Sequence, residues 1–171
     1  IRYVTNEEEI LFDAADFLRF DKNILALRSN TANEAGISWL ERHLGEGYKV
    51  HQIKSHFKIP MHLDDHMMPL AKGRLLINPE YIMEEELPDF LKSWEILKAP
   101  KPDPMKKSSS FFFDSDSMDF YWWNINVLVL GHNRVVVEAS QISTIKALKE
   151  WGFEPIPCPF FHYAQLVGLF H

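Results

Sequence analysis

One cysteine, Cys158, stands among 171 residues. A single thiol closes no intrachain disulfide, so a disulfide-stapled secretory scaffold is not expected. No apolar run approaches the roughly 18–20 residues of a membrane-spanning helix. No stripe of Lys and Arg stands out, and "PMKK" (104–107) is too short to form one. With a formal net charge of −6, the chain is not expected to present a nucleic-acid surface. No secretory leader pattern is visible. The first residue is not Met, so a fragment or processed chain is expected. Neither nucleic acid nor membrane is therefore an expected partner. What remains is ordinary globular composition, 46% apolar and 25% charged. A chain of this length can bury roughly 70% of its unfolded surface in one domain.

The patterning repeats. In the first unit, 11–54, "DFLRF" (16–20) and "ILALRS" (24–29) read as strands joined by the turn "DKN" (21–23). "NEAGISWLERHL" (33–44) reads as a helix with Ile37, Leu40 and Leu44 on one face, stopped by "GEG" (45–47). "YKVHQIK" (48–54) alternates like a half-buried strand. The second unit, 60–99, repeats the order. "HMMPLA" (66–71) and "RLLIN" (74–78) flank "KG", "EEELPDFLKSW" (84–94) is the expected helix, and "EILKA" (95–99) the last strand. The third unit, 122–158, has strands at 124–131 and 134–140 around "HN", a helix at 142–152 and a strand at 153–158. Three copies of ββαβ, each roughly 40 residues long, outweigh any single element assignment. Residues 100–121, in which Pro, Lys and Ser are followed by three Phe, read as a long loop.

Two short stretches break the apolar pattern. "FDAADFLRF" (12–20) carries Asp13 and Asp16, and "MHLDDH" (61–66) carries His62, Asp64, Asp65 and His66. Side chains alternate along a strand. In an extended segment His62 and Asp64 therefore face the same way and Asp65 the other way. Asp13 and Asp16 point to opposite sides, so only one can share a channel with His62. Spacing alone does not choose between them.

The order "FDAADFLR", then "GISWLERHL", "YKVH", "PMHLD" and "NP" resembles the glycine amidinotransferase family. The resemblance covers nearly the whole chain and is weakest over 80–121. It implies an α/β propeller, the pentein fold, of five ββαβ units around an active-site channel, of which this chain would supply about three. It also implies movement of an amidino group from arginine to an acceptor amine through an amidino-cysteine intermediate, with no cofactor and no metal. By position in these motifs, His62 is the catalytic histidine, Asp13 the catalytic aspartate, and Asp64 a substrate-binding aspartate. The family nucleophile is the cysteine of an "FHC" motif, and this chain ends "GLFH" (168–171). The expectation is thus the C-terminal three units, cut short at the nucleophile and inactive as they stand. Tyr81 replaces a substrate-binding arginine after "NP", and Asp119 and Phe120 replace two substrate-contacting serines. The substrate pocket is accordingly expected to differ from the arginine–glycine pocket.

The residue types suit that chemistry. A guanidinium is a planar cation with a fork of donors, which a carboxylate meets in two parallel hydrogen bonds. The carboxylate that holds it also aligns its carbon for attack. A neighbouring histidine can protonate the departing amine and deprotonate the incoming one. An aspartate beside the histidine fixes its tautomer. Asp13, His62 and Asp64 supply these roles but not the nucleophile. Blander readings compete. An acid at a strand start is more often a turn or cap residue than a catalyst. His51, His56, His66, His132 and His162 read as structural or exposed, His43 as a helix C-terminal charge, and His171 as near the channel by position only. "HLDDH" has the makings of a divalent-metal site, yet the following Met-Met-Pro-Leu looks like core. Cys158, with no Lys or Arg nearby, reads as a buried structural thiol. Two alternative functions remain: a non-catalytic guanidinium-binding or assembly protein, and a guanidine-modifying hydrolase of the same superfamily. Thirteen Phe, five Trp and the open ends of an incomplete ring lead to an expected homo-oligomer.

Overall fold

The computed structural model describes residues 8–58, 60–104, 124–160 and 170. The chain divides into two compact bodies. One contains residues 1–66 and 80–93, the other 67–79 and 94–171.

Three three-stranded sheets follow one plan: an antiparallel hairpin, then a crossover to a third strand parallel to the second. In the first body, β1 (Phe17–Phe20) pairs antiparallel with β2 (Asn23–Leu27), Phe17 opposite Ala26. β2 pairs in parallel with β3 (Lys49–Ile53), Ile24 opposite Val50. In the second body, β4 (Met67–Ala71), β5 (Arg74–Ile77) and β6 (Glu95–Lys98) repeat the arrangement. So do β7 (Leu128–Gly131), β8 (Arg134–Glu138) and β9 (Glu154–Cys158). The middle strand of each sheet is the apolar one. Leu25, Ala26 and Leu27 of β2, Leu75, Leu76 and Ile77 of β5, and Val135 and Val137 of β8 are fully buried. A strand covered on both faces reads as a continuous hydrophobic run rather than an alternation. Pro69, which cannot donate to a ladder, sits on the edge strand β4, where the register shifts.

The turns are chemically matched. His132 and Asn133, between β7 and β8, both have positive φ (50° and 60°), as a tight two-residue hairpin turn demands. The β7 strand is shorter than the predicted 124–131. Asn124 lies outside it, buried, with its side-chain amide donating to the Pro100 carbonyl at 2.7 Å and to the Thr144 hydroxyl at 3.0 Å.

The crossovers differ. Helix α1 (Glu34–Leu44) joins β2 to β3 and α2 (Ile142–Glu150) joins β8 to β9, both close to prediction. The helix predicted over 84–94 does not form. Two short 3-10 turns, Glu84–Glu86 and Asp89–Leu91, stand in its place. The cause is Pro88. It drives the preceding Leu87 out of the helical region, to φ −64° and ψ 140°, and its ring leaves no N–H for a helical bond.

Candidate active site

The site lies in the first body and starts from a turn. Asp13 opens a short 3-10 turn, Ala14–Asp16, by accepting a hydrogen bond on its own carboxylate from the Ala15 N–H at 3.0 Å. That is a capping role. The same side chain stays exposed, so one of its oxygens faces outward. Asp16, three residues on, is fully buried. Its two oxygens accept from the Ser29 hydroxyl (2.7 Å) and the Thr31 hydroxyl (2.8 Å). A buried carboxylate survives only with such partners. Spacing leaves the choice between these acids open; the structure separates them into one exposed and one structural carboxylate.

The turn is held from the other side by α1. Asn33 caps that helix, its side-chain oxygen accepting from the Gly36 N–H at 2.8 Å and the Leu11 N–H at 3.2 Å. Its amide donates to the Glu9 carbonyl. The Leu11 carbonyl in turn accepts from the Asn33 N–H at 3.0 Å. Leu11 crosses the first helical turn so closely that a Cβ on Gly36 would lie 2.0 Å from the Leu11 carbonyl oxygen. Only glycine admits that approach. The segment that leads into Asp13 is thereby fixed.

His62 arrives by a different route. The Leu63 N–H donates to the Ala15 carbonyl at 2.7 Å, and the Leu63 side chain is fully buried. This stitches the His62 loop to the Asp13 turn. His62 Nε2 lies 4.0 Å from Asp13 Oδ2, beyond hydrogen-bond range but within reach of its charge. His62 has φ +57°, a left-handed conformation that histidine adopts more readily than most residues and that costs on the order of 1 kcal/mol. Residues 63–66 then form a bend and a turn rather than a strand. The alternation argument for Asp65 therefore fails: His62, Asp64 and Asp65 bring one ligand-type atom each within 4.8 Å of one another. Asp64 is buried and Asp65 half-buried. One imidazole and two carboxylates can receive a cation, organic or metallic.

Beneath this turn lies His66, 1% exposed. Its Nε2 pairs with the Ser55 hydroxyl at 2.8 Å and its ring packs against Tyr81, centroids 5.1 Å apart. Burial pushes its pKa down to about 4, only partly offset by the His62 backbone, so the ring is neutral near pH 7. Tyr81, expected at a substrate-binding position, is 8% exposed and stacked on Phe57 at 4.6 Å. It packs behind the turn. The remaining histidines of this body have local partners. His51 meets Asn23, His56 meets Glu86 at 2.7 Å, and His43 Nδ1 donates to the Trp39 carbonyl at the end of α1. In the second body, Cys158 is half-buried at the end of β9. Asp119, Phe120, His162, His171 and most of the predicted 100–121 loop lie outside the described residues. Sequence reasoning missed Asp65, the Ser29–Thr31 support of Asp16, and the burial of His66. A polar residue followed by "MMPL" was the available signal for the last.

No family model matches the sequence. Individual relatives do. The chain is 45% identical over 168 residues to an L-arginine:L-lysine amidinotransferase of Pseudomonas savastanoi pv. phaseolicola, covering 98% of this chain and 44% of that one. It is 36% identical over 177 residues to the mitochondrial glycine amidinotransferase of Xenopus laevis, covering 99% and 39%. The solved structure of SxtG, an amidinotransferase from Microseira wollei, superposes with a TM-score of 0.88 at 43% identity, over 99% of this chain and 46% of that one. A Pseudomonas aeruginosa DDAH, at 18% identity and a TM-score of 0.58, shares the fold alone. The chain spans under half the length of these curated relatives. Sequence and fold together make it a homologue of the amidinotransferases, carrying part of their pentein α/β propeller.

Proposed function

We propose that this chain forms part of an amidinotransferase active site, moving an amidino group from a guanidino donor such as arginine to an acceptor amine. The observation that carries this reading is the convergence of Asp13, His62, Asp64 and Asp65 in one turn-built site, in a chain whose relatives are amidinotransferases. In this reading Asp64 receives the guanidinium through paired hydrogen bonds, with Asp65 adding negative charge. Asp13 and His62 are the catalytic pair. A thiolate attacks the amidino carbon, the bond to the donor nitrogen breaks, and His62 gives that nitrogen its proton. The acceptor amine then loses a proton to His62 as it attacks the amidino-thioether and releases the thiolate. Neither Asp13 nor His62 is the nucleophile. Tyr81 and Asp119 are proposed near the substrate from the family resemblance, Tyr81 acting through the packing behind the turn.

The test is to incubate the chain with arginine and follow intact mass and free ornithine. No adduct on this chain alone, and a pH-dependent amidino adduct on the cysteine of a chain extended through the "FHC" motif, lost there in His62→Ala and in Asp13→Asn, supports the reading. An adduct on Cys158 that Cys158→Ala removes would overturn the structural reading of that thiol and make it the nucleophile. Ornithine formed with urea, and no transfer to added amines, would replace it with the hydrolase reading. We also propose self-association. Ile10, Phe12, Leu130 and Ile142 are large apolar side chains exposed to solvent. A sedimentation profile that stays monomeric at high concentration would end that proposal.

A further inference from the structure

Two buried polar side chains of the second body grip backbone from far along the chain, and neither has a role in the functional reading above. Asn126 lies just ahead of β7, 5% exposed, between the fully buried Ile125 and Val127. Its Oδ1 accepts from the Phe170 N–H at 2.8 Å, across 44 residues. Glu138 ends β8 and is 3% exposed. Its carboxylate accepts from the Phe160 N–H at 2.7 Å and from the Ser140 N–H at 3.2 Å. A polar group buried in this way is costly unless it is partnered, so these contacts hold the segments they reach. The Phe160 and Phe170 rings, each half-buried, then stack on one another with centroids 5.0 Å apart and planes at 27°.

Strand geometry explains why these groups meet. β7 runs antiparallel to β8, with Leu128 opposite Val136, so the residues ahead of β7 lie at the end of β8 that Glu138 closes. β9 runs parallel to β8, with Cys158 opposite Glu138, so the chain leaves β9 at the same sheet end. There the Ala139 N–H donates to the Cys158 carbonyl at 3.0 Å, and Glu138 takes the Phe160 N–H. Phe170 returns to that end, held by Asn126 from the β7 side and by Phe160 from the β9 side. In the first sheet the corresponding end, ahead of β1, carries the Asp13 turn. Equivalent ends of two repeats thus carry the Asp13 turn in one and Phe170 in the other.

Phe170 opens the "FH" (170–171) that matches the first two residues of the family's "FHC" motif. We propose that Asn126 and Phe160 are positioning residues for the nucleophile: they fix the backbone and the ring of Phe170, and through it the cysteine that follows "FH" in that motif. The inference rests on the functional reading above. The Asn126 hydrogen bond sets where the main chain lies at Phe170. The ring stack sets which way that residue faces, since offset-stacked aromatic pairs have a preferred geometry. Glu138 supports both from one step back by holding Phe160. Such control matters because a displacement of about 1 Å in a reacting group can cost on the order of a hundredfold in rate. Asn126 and Phe160 act through Phe170 rather than on the reacting atoms.

The experiment uses the chain extended through the "FHC" motif. It follows amidination of that cysteine by L-arginine in a single turnover, by intact mass, and measures L-arginine affinity by calorimetry on the same proteins. Asn126→Ala is expected to slow amidination at least about tenfold and to leave affinity within about twofold. Phe160→Leu, a milder change that keeps apolar bulk and removes the flat ring, should slow it about threefold or more, again with affinity unchanged. Circular dichroism confirms the fold of each variant. An amidination rate that either variant leaves unchanged would overturn the proposal. So would a fall of rate and affinity together, which would mark both side chains as supports of the fold alone. The functional reading fails separately, and this inference with it, if the extended parent chain takes no amidino group from L-arginine.

Discussion

The crossover from β2 to β3 and the crossover from β5 to β6 perform the same topological task with different backbones. The first is an eleven-residue helix, α1, with a side-chain cap at Asn33. The second is a pair of three-residue 3-10 turns on either side of Leu87–Pro88, neither with a side-chain cap. Both deliver a parallel third strand. A parallel pairing therefore does not need a helix; it needs enough chain to return to the same end. What α1 adds is a second task. Its first turn is the anvil on which Glu9–Leu11 is held, and Asp13 follows directly. The second crossover contributes through Tyr81, just ahead of it, which packs against His66.

That asymmetry is best broken at Gly36. In Gly36→Ala the new methyl would meet the Leu11 backbone, which must move and take the Asn33 hydrogen bonds with it. Overpacking and lost bonds together predict about 4 kcal/mol of destabilisation, read by urea denaturation. The placement of Asp13 against His62 should be lost as well, since Asp13 loses its anchor. A thermal melt indistinguishable from wild type would show that Leu11 is free to shift.

Next in size is a pH effect at His66. Its pKa is held to about 4, below the ordinary 6.5. Above pH 6.5 the ring is neutral whether the chain is folded or unfolded, and it contributes no pH dependence. Between pH 6.5 and 4 the unfolded chain takes up a proton that the folded chain refuses. Stability therefore falls as pH falls through that window, by roughly 3 kcal/mol in all. Denaturation midpoints measured from pH 7.5 to pH 4 should show this loss, and His66→Gln should flatten part of the slope. An identical slope in the variant would place the titration elsewhere.

Asn33→Ala sharpens the comparison from the cap side. It removes the acceptor for Gly36 and Leu11 and the donor to Glu9, so about 2 kcal/mol is expected. Asn33→Asp should recover the two accepted bonds but not the donated one. Pro88→Ala is the smallest change. It lets the second crossover sample helix without removing a described hydrogen-bond donor, and stability should stay within about 0.5 kcal/mol. A gain of helical ellipticity in that variant would show that Pro88 alone opposes the helix predicted over 84–94.

Much of the local order is legible in the order of residues alone. The middle strands β2, β5 and β8 announce themselves as apolar runs, and Asn33 and Gly45 bracket α1. Pro88 is visible too. The acids ahead of it and the apolar spacing around it obscure a residue that a helix interior does not tolerate. Within the site, the pairing of Asp13 with His62 comes from a resemblance and not from periodicity. The Asp65 expectation fails because alternation assumes an extended backbone, and residues 63–66 turn.

Residue order alone sets the repeated strand–strand–crossover–strand order, because side-chain period, turn residues and caps act between near neighbours in the chain. It also determined which residue types were on hand for guanidinium chemistry. Tertiary structure decided which of two aspartates was buried, since only the folded chain brings the Ser29 and Thr31 hydroxyls to Asp16. It decided the left-handed turn at His62, which the Leu63–Ala15 hydrogen bond and the burial of Leu63 hold in place. It brought Asn126, Phe160 and Phe170 together, because the pairing of β7 and β9 with β8 carries distant segments to the same sheet end. Convergence of this kind depends on contacts between segments far apart in the chain, and no local pattern encodes those.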